Sequence, residues 1–260
     1  MSELVTWEKQ NGVAYISLNS PPANAMSVQL LQEFDAAVQA VGNDAGCRAV
    51  LIKSSVPKIF MAGADLKYLL GLNEQEFREY IANAQKICNR VEGLPKPTIA
   101  VLSGHALGGG CELALSCDFR YMADSKALIG VPEVTLGLLP GAGGTQRLPR
   151  LIGRGKATEL LFRGNTLQGP EALSIGLVDK VFPQDQLLPE AVKLAEELAR
   201  GATQAIARIK RCLRAPGEES LAEGLAQELD GIAYLFVHTD DTKEGIRAFS
   251  EKRRPTFAGK

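Results

Sequence analysis

Residues able to do chemistry concentrate at three places in the chain. The first is Gly108-Gly109-Gly110-Cys111-Glu112, which lies between the apolar run Thr98-Ile99-Ala100-Val101-Leu102 and the pattern Leu113-Ala114-Leu115. The run predicts a buried strand, and the pattern after the glycines predicts a short helix. Consecutive glycines add no side-chain packing and cost backbone entropy, so they suit a place where another group approaches the backbone. At a helix N-terminus, free N–H groups and the positive dipole end favour a phosphate, a carboxylate or a developing oxyanion. Glu112 follows Gly109 by one turn, and helical side chains lean toward the N-terminus. Its carboxylate is therefore expected to point back at the glycine amides. An oxyanion donor beside a carboxylate suggests proton chemistry on a carbonyl compound. Two simpler readings stay open: tight helix–strand packing for the glycines, and a favourable first-turn surface charge for Glu112. The motif is not a P-loop, because no Gly-Lys-Ser/Thr follows, and its spacing is a poor match to G-x-G-x-x-G.

The second place is Glu133, in the apolar run Leu128 to Leu139 behind Pro132, whose φ is fixed. The run reads as a short strand over Leu128–Glu133. Glu133 is then either exposed by alternation or buried with its pKa raised. The third is the turn Ala62-Gly63-Ala64-Asp65. Its N–H groups can face an acyl oxygen, or it is an ordinary strand-to-helix turn capped by Asp65.

These residues need a scaffold, and the composition allows one. The chain has 260 residues, 45% of them hydrophobic and 23% charged, enough for a large core as one domain or one domain with an appendage. The formal net charge of −1 gives no global case for a nucleic-acid or anionic-membrane partner. Five cysteines without C-x-x-C spacing argue against a disulfide framework or zinc site and for a reducing compartment. Two histidines make a His-rich metal site unexpected. No signal peptide, Arg-rich transit segment or long apolar run is found, so a cytoplasmic protein is expected.

The periodicity predicts an α/β chain. Val5–Glu8 and Val13–Leu18 around Asn11-Gly12 read as a hairpin. Ser27 caps a helix with apolar residues from Leu30 to Val41, and Ala49–Ile52 is a buried strand. A helix over Glu74–Val91 ends before Pro95 and Pro97. Phe119–Ala123 and Leu177–Phe182 read as strands. Helices are expected near 154–163, 169–175, 184–200, 203–214, 218–237 and 240–252, so the C-terminal third reads as a helical appendage.

Four segments taken together carry a family resemblance: Phe60 to Lys67 (F-x-A-G-A-D-L-K), Gly104 to Asp118 (G-x-A-L-G-G-G-C-E-L-A-L-x-C-D), Pro132 to Arg150 (P-E-x-x-L-G-L-L-P-G-A-G-G-T-Q-R-L-P-R) and Ala248 to Arg253 (A-F-x-E-K-R). The sequence resembles the enoyl-CoA hydratases of the crotonase superfamily over nearly its whole length. The resemblance implies a spiral of repeated ββα units over residues 1–200 with the acyl-CoA site, and a helical oligomerisation region over 201–260. It implies a homotrimer or dimer of trimers. It implies that the amides of Ala64 and Gly109 form an oxyanion hole, and that Glu112 and Glu133 are the catalytic pair, Glu133 as base and Glu112 as proton donor. The turn Ala62 to Leu66 would hold the coenzyme A adenine through backbone groups, with Ala62, Ala64, Asp65, Leu66, Lys67 and Gly109 among the substrate-binding residues. Phe249 and Lys252 would lie near the nucleotide end, across a subunit boundary in an oligomer. The implied reaction adds water to a 2-enoyl-CoA in fatty acid β-oxidation, with no cofactor beyond the coenzyme A of the substrate and no metal.

Other readings separate on particular residues. Isomerases of this fold often need one carboxylate, so the presence of both Glu112 and Glu133 favours hydration over an enoyl-CoA isomerase. A hydratase for branched or cyclic acyl-CoA is an alternative within the superfamily. A non-catalytic RNA-binding role would use Arg200, Arg208, Lys210, Arg211 and Arg214, which otherwise form a solvated helix face. Tyr68-Leu69-Leu70 departs from the more polar turn of many relatives and is expected to line the acyl path. His105 reads as structural. A side chain at Gly109 is expected to project into the site.

Overall fold

The computed structural model describes residues 3–214 and 220–260. Strands β1 (Val5–Gln10) and β2 (Val13–Leu18) form the expected antiparallel hairpin. Helix α1 (Val28–Asn43) starts at Ser27, whose hydroxyl accepts from Leu30 N–H. Next come β3 (Ala49–Ser54), β4 (Ile59–Met61) and the short α2 (Leu66–Leu69). Helix α3 (Glu74–Gly93) opens with a reciprocal Asn73–Glu76 capping box. It is followed by β5 (Thr98–Leu102), β6 (His105–Leu107), α4 (Gly109–Leu115), β7 (Phe119–Asp124) and β8 (Ile129–Gly130).

Each circuit of the chain places one strand in each of two sheets: β3 then β4, β5 then β6, β7 then β8. The first sheet has the order β1-β2-β3-β5-β7-β10 and is parallel from β2 onward. The second has the order β4-β6-β8-β9, with β8 and β9 antiparallel. This repeated passage of apolar parallel strands between two sheets gives the expected spiral. One core cluster, which includes Phe34, Phe60, Leu102 and Cys111, joins strands of both sheets to the helices packed on them. The outer face of the larger sheet is covered by Leu187, Ala191, Ala195 and Ala199 of the later helix 184–200. Both faces of β2 and β5 are therefore buried, which explains their unbroken apolar runs.

The remaining elements are α5 (Gly144–Ile152), α6 (Arg154–Arg163), β9 (Thr166–Leu167), α7 (Gly169–Ser174), β10 (Lys180–Pro183), α8 (Gln184–Arg200), α9 (Thr203–Arg214), α10 (Leu221–His238) and α11 (Asp240–Ser250). Three features depart from the sequence reading. The strand expected to continue to Glu133 stops at Gly130, and Pro132–Leu136 forms a 3₁₀ turn, because Pro132 supplies a helical φ and no ladder N–H. Helix α5 was not anticipated: Gly143, Gly144 and Pro149 obscure its short periodicity. The strand expected from Leu177 begins at Lys180, with Leu177 and Val178 in the core as part of the preceding turn. The first two residues of the helix expected near 218–237 lie outside the described residues; the helix itself is capped by Ser220.

Candidate active site

Strands β4 and β6 are parallel neighbours, so the turns at their C-terminal ends stand side by side. A Cβ built on Gly63 would lie 3.6 Å from Gly109 N and 3.2 Å from Leu107 O. Each turn has one carbonyl held from behind. Gly63 C=O accepts from Met26 N–H at 2.9 Å, and Gly108 C=O accepts from Glu112 N–H at 3.0 Å. In a planar trans peptide, C=O and N–H point opposite ways. The next N–H groups, those of Ala64 and Gly109, are thereby turned away from these partners, and both residues line one cavity. Gly108 adopts φ 55°, ψ −124°, which a side chain would forbid.

Glu112 is only 2% exposed. Its Oε1 accepts from Ala142 N–H at 2.7 Å and Gly144 N–H at 2.8 Å. The carboxylate therefore does not fold back on the glycine amides of its own helix; it reaches across to the turn that opens α5. Burial pushes its pKa up, against the opposing pull of these amides and of Arg147. Glu133 stands in the first turn of the 3₁₀ segment and faces Gly108, where an added Cβ would lie 3.0 Å from Oε1. Its Oε2 is buried without a hydrogen-bond partner among the described residues. Burial, and secondarily the charge of Glu112, push the Glu133 carboxyl up to about 7. Glu133 lies between the two earlier alternatives: the residue is half-buried, with Oε2 shielded and its pKa raised.

Both glutamates and both turns open on a single cavity of about 430 Å³. Leu69, Phe77, Ile81 and Ala84 form one apolar wall, and Leu138 and Leu139 form another. Residues 77, 81 and 84 follow helical spacing on α3, a stripe that faces this cavity while Ile87, Cys88 and Val91 face the core. Two backbone donors at the end of an apolar slot, flanked by two carboxyl groups of raised pKa, suit proton transfer to and from a polarised carbonyl compound.

The sequence matches the family described as enoyl-CoA hydratase/isomerase over residues 8–260. The chain belongs to this family. It is similar to the crotonyl-CoA hydratase of Syntrophomonas wolfei, with 41% identity over 99% of both chains. It is also similar to the short-chain-enoyl-CoA hydratase of Clostridium acetobutylicum, with 39% identity over 96% of this chain and 95% of that one. The crystal structure of an enoyl-CoA hydratase from Bacillus anthracis superposes with a TM-score of 0.93 at 39% identity, covering 99% of this chain and 100% of the other. The spiral fold anticipated from the four motifs is thus a crotonase fold.

Within this enoyl-CoA hydratase/isomerase chain, the residues singled out from sequence divide into two groups. Ala62, Ala64, Leu66, Gly109, Glu112 and Glu133 all line the cavity. Asp65 instead caps α2, accepting from Lys67 N–H and Tyr68 N–H, and Lys67 is exposed beside it. Phe249 is 87% exposed on α11, and Lys252 follows that helix; neither lines the cavity. Of the Tyr68-Leu69-Leu70 turn, only Leu69 lines it, and Leu70 is 90% exposed.

Gly109 needs a correction. A Cβ there would collide with Met26 Sδ, not project into open cavity. Met26, Tyr80 and the Ala142–Gly144 amides went unnoticed in the sequence. The last of these lay within a recognised motif, and Tyr80 lay on the α3 stripe, where its polar tip was the available signal. His105 Nδ1 accepts from Leu128 N–H at 3.1 Å, a structural role as expected.

The basic cluster is largely engaged. Lys210 is buried and pairs with Asp118 at 2.7 Å, Arg208 stacks 3.9 Å over Tyr234, and Arg200 and Arg214 face Glu196 and Glu92. Among the described residues no helix is long and apolar enough to cross a membrane.

Proposed function

We propose that the protein is an enoyl-CoA hydratase that adds water across the 2,3-double bond of a 2-enoyl-CoA to give a 3-hydroxyacyl-CoA. The observation that carries this reading is the pair Glu112 and Glu133 on one cavity with the Ala64 and Gly109 amides. In this reading the thioester oxygen lies between the two N–H groups. Attack of water at C3 forms the new C–O bond and drives the π pair toward the carbonyl, where the two donors stabilise the enolate charge. Losing one such donor typically costs about 3 kcal/mol or more of transition-state stabilisation. Glu133, whose Oε2 is free to accept, takes the proton of the attacking water. Glu112, held at Oε1 by two amides, delivers the proton to C2 from its other oxygen. The two carboxyls titrate as a coupled pair, and a proton passed from Glu133 to Glu112 through solvent restores the starting state.

The acyl chain runs along the α3 wall, and the turn Ala62–Leu66 holds the adenine through backbone groups. Phe249 and Lys252 complete the nucleotide end from a neighbouring subunit in a homotrimer or dimer of trimers. Helix α10 supports assembly: Leu225, Leu229, Ile232 and Phe236 are each more than half exposed, and only Gly231 of that helix is buried. Residues 1–200 then carry the site and 201–260 the assembly region. Five free cysteines suit a reducing cytoplasm. Steady-state hydration of crotonyl-, hexenoyl-, decenoyl- and branched 2-enoyl-CoA, followed by loss of the conjugated thioester absorbance, tests the reading. Hydration of at least one of these is expected. Isomerisation of a 3-enoyl-CoA without hydration of any 2-enoyl-CoA would overturn it.

A further inference from the structure

The residue that aims the Ala64 turn is itself held by a side chain from another element. Tyr80 of α3 is 7% exposed, and its hydroxyl donates to Met26 C=O at 2.7 Å. The backbone N–H of Asp65 faces the same phenolic oxygen. Met26 N–H in turn donates to Gly63 C=O at 2.9 Å, and Met26 and Ala64 form an isolated parallel bridge. Met26 Sδ occupies the space into which a Cβ of Gly109 would point. One residue, Met26, thus touches both turns of the site, and Tyr80 pins its carbonyl. The Tyr80 ring is fixed in turn against Tyr68, with centroids 5.8 Å apart.

We propose that Tyr80 is a positioning residue for hydration: by holding the Met26 backbone, which in turn holds the Gly63–Ala64 peptide, its hydroxyl orients the Ala64 N–H toward the thioester oxygen. This rests on the reading of Ala64 as an oxyanion donor. The physical basis is positional. The Tyr80 hydroxyl holds the Met26 backbone at its carbonyl, and the Met26 N–H holds Gly63 C=O. The rigid peptide converts the position of Gly63 C=O into the direction of Ala64 N–H. Preorganised donors of this kind act on the transition state more than on ground-state binding. The effect of removing the hydroxyl therefore belongs in kcat.

Tyr80→Phe keeps the ring, the cavity wall and the contact with Tyr68, and removes only the hydroxyl. Three quantities are measured on wild type and variant: kcat and KM for crotonyl-CoA, melting temperature, and the absorption maximum of bound cinnamoyl-CoA. That conjugated thioester absorbs at longer wavelength when its carbonyl is polarised. The expected result is a fall of about tenfold in kcat, as for a lost hydrogen bond, with KM changed less than twofold. The red shift of the bound chromophore should be smaller than in wild type. Unchanged kcat and an unchanged red shift in Tyr80→Phe would overturn the proposal. A lower melting temperature with normal turnover per folded molecule and a normal red shift would overturn it as well, since it would mark a purely structural hydroxyl. If wild type itself gives no red shift, the oxyanion reading fails first. If wild type shifts and the variant shifts equally, only the role of Tyr80 fails.

Discussion

Glu133 provides a test that separates stability from catalysis in one variant. Its carboxyl rises from the ordinary 4.5 to about 7, chiefly through burial and then through the charge of Glu112. The sign follows from which state holds the proton. Below 4.5 the folded and unfolded chains are both protonated, and the group makes no difference. Between 4.5 and about 7 the folded protein keeps a proton that the unfolded chain releases, so folded stability falls as pH rises through this window. At about 1.4 kcal/mol per pKa unit the ceiling of that loss is about 3 kcal/mol. The group is partly open to solvent, and screening brings the expectation to about 1–2 kcal/mol. Glu133→Gln removes the charge and nearly preserves the shape. Relative to wild type, the variant should gain about 1–2 kcal/mol of unfolding free energy between pH 5 and pH 8, while losing turnover. The assay is denaturant unfolding at the two pH values and one fixed protein concentration, because oligomer stability depends on concentration. A stability difference between variant and wild type that is the same at pH 5 and pH 8 would refute the burial argument for Glu133.

The other predictions follow from the same geometry. Glu112→Gln and Glu133→Gln should each lower kcat by roughly 10²-fold or more with little change in ligand affinity, and the double variant should fall well short of additivity. In wild type, kcat/KM should decline on the acid side below about pH 7, where Glu133 gains the proton that disables it as a base. A pH–rate profile checks this, and activity that stays level well below pH 7 would contradict it. Gly109→Val should lower the melting temperature as well as abolish turnover, because the new side chain meets Met26; overpacking of this kind costs about 1–3 kcal/mol, and an unchanged melting curve would show that the Met26 contact is wrong. Leu225→Glu with Leu229→Glu should reduce the assembled mass in light scattering, and truncation at Gly201 should give aggregated or monomeric inactive protein; a soluble, trimeric, active truncation would exclude the assembly role.

Local chemistry was legible in this sequence, and tertiary chemistry was not. The strands over Val13–Leu18 and Thr98–Leu102 are buried on both faces, so their apolar runs were unambiguous. Ser27 acts as a cap within three residues of its target, a range over which sequence carries the information. The glutamates stood out because a carboxyl in an apolar run needs a reason. What Glu112 binds could not be read the same way, because Ala142 and Gly144 lie about thirty residues on and are positioned by a helix hidden behind glycine and proline. The link from Tyr80 to Met26 and from Met26 to Gly63 joins three separate segments, and no spacing announces it. Gly109 was correctly chosen as a place of close approach, but the group approaching its Cα is Met26.

On the proposed reading, catalysis and assembly fall to different parts of the chain. Glu112, Glu133, Ala64 and Gly109 are all supplied by elements before residue 140 and meet inside one chain. Phe249 and Lys252 belong to the C-terminal helices and stand away from that cavity. Nothing among the described residues covers the apolar stripe of α10, and exposing so much apolar surface is unfavourable for a lone protomer in water. If a second copy covers the stripe, as proposed above, the same contact can deliver α11 to the mouth of a neighbour's cavity. Assembly would then act on the capture of the nucleotide end and leave the proton transfers intact. Disrupting α10 should therefore raise KM for the thioester far more than it lowers kcat in any molecules that remain folded. The reverse pattern, a fall in kcat with KM preserved, would mean that the neighbour reaches the carboxylates themselves.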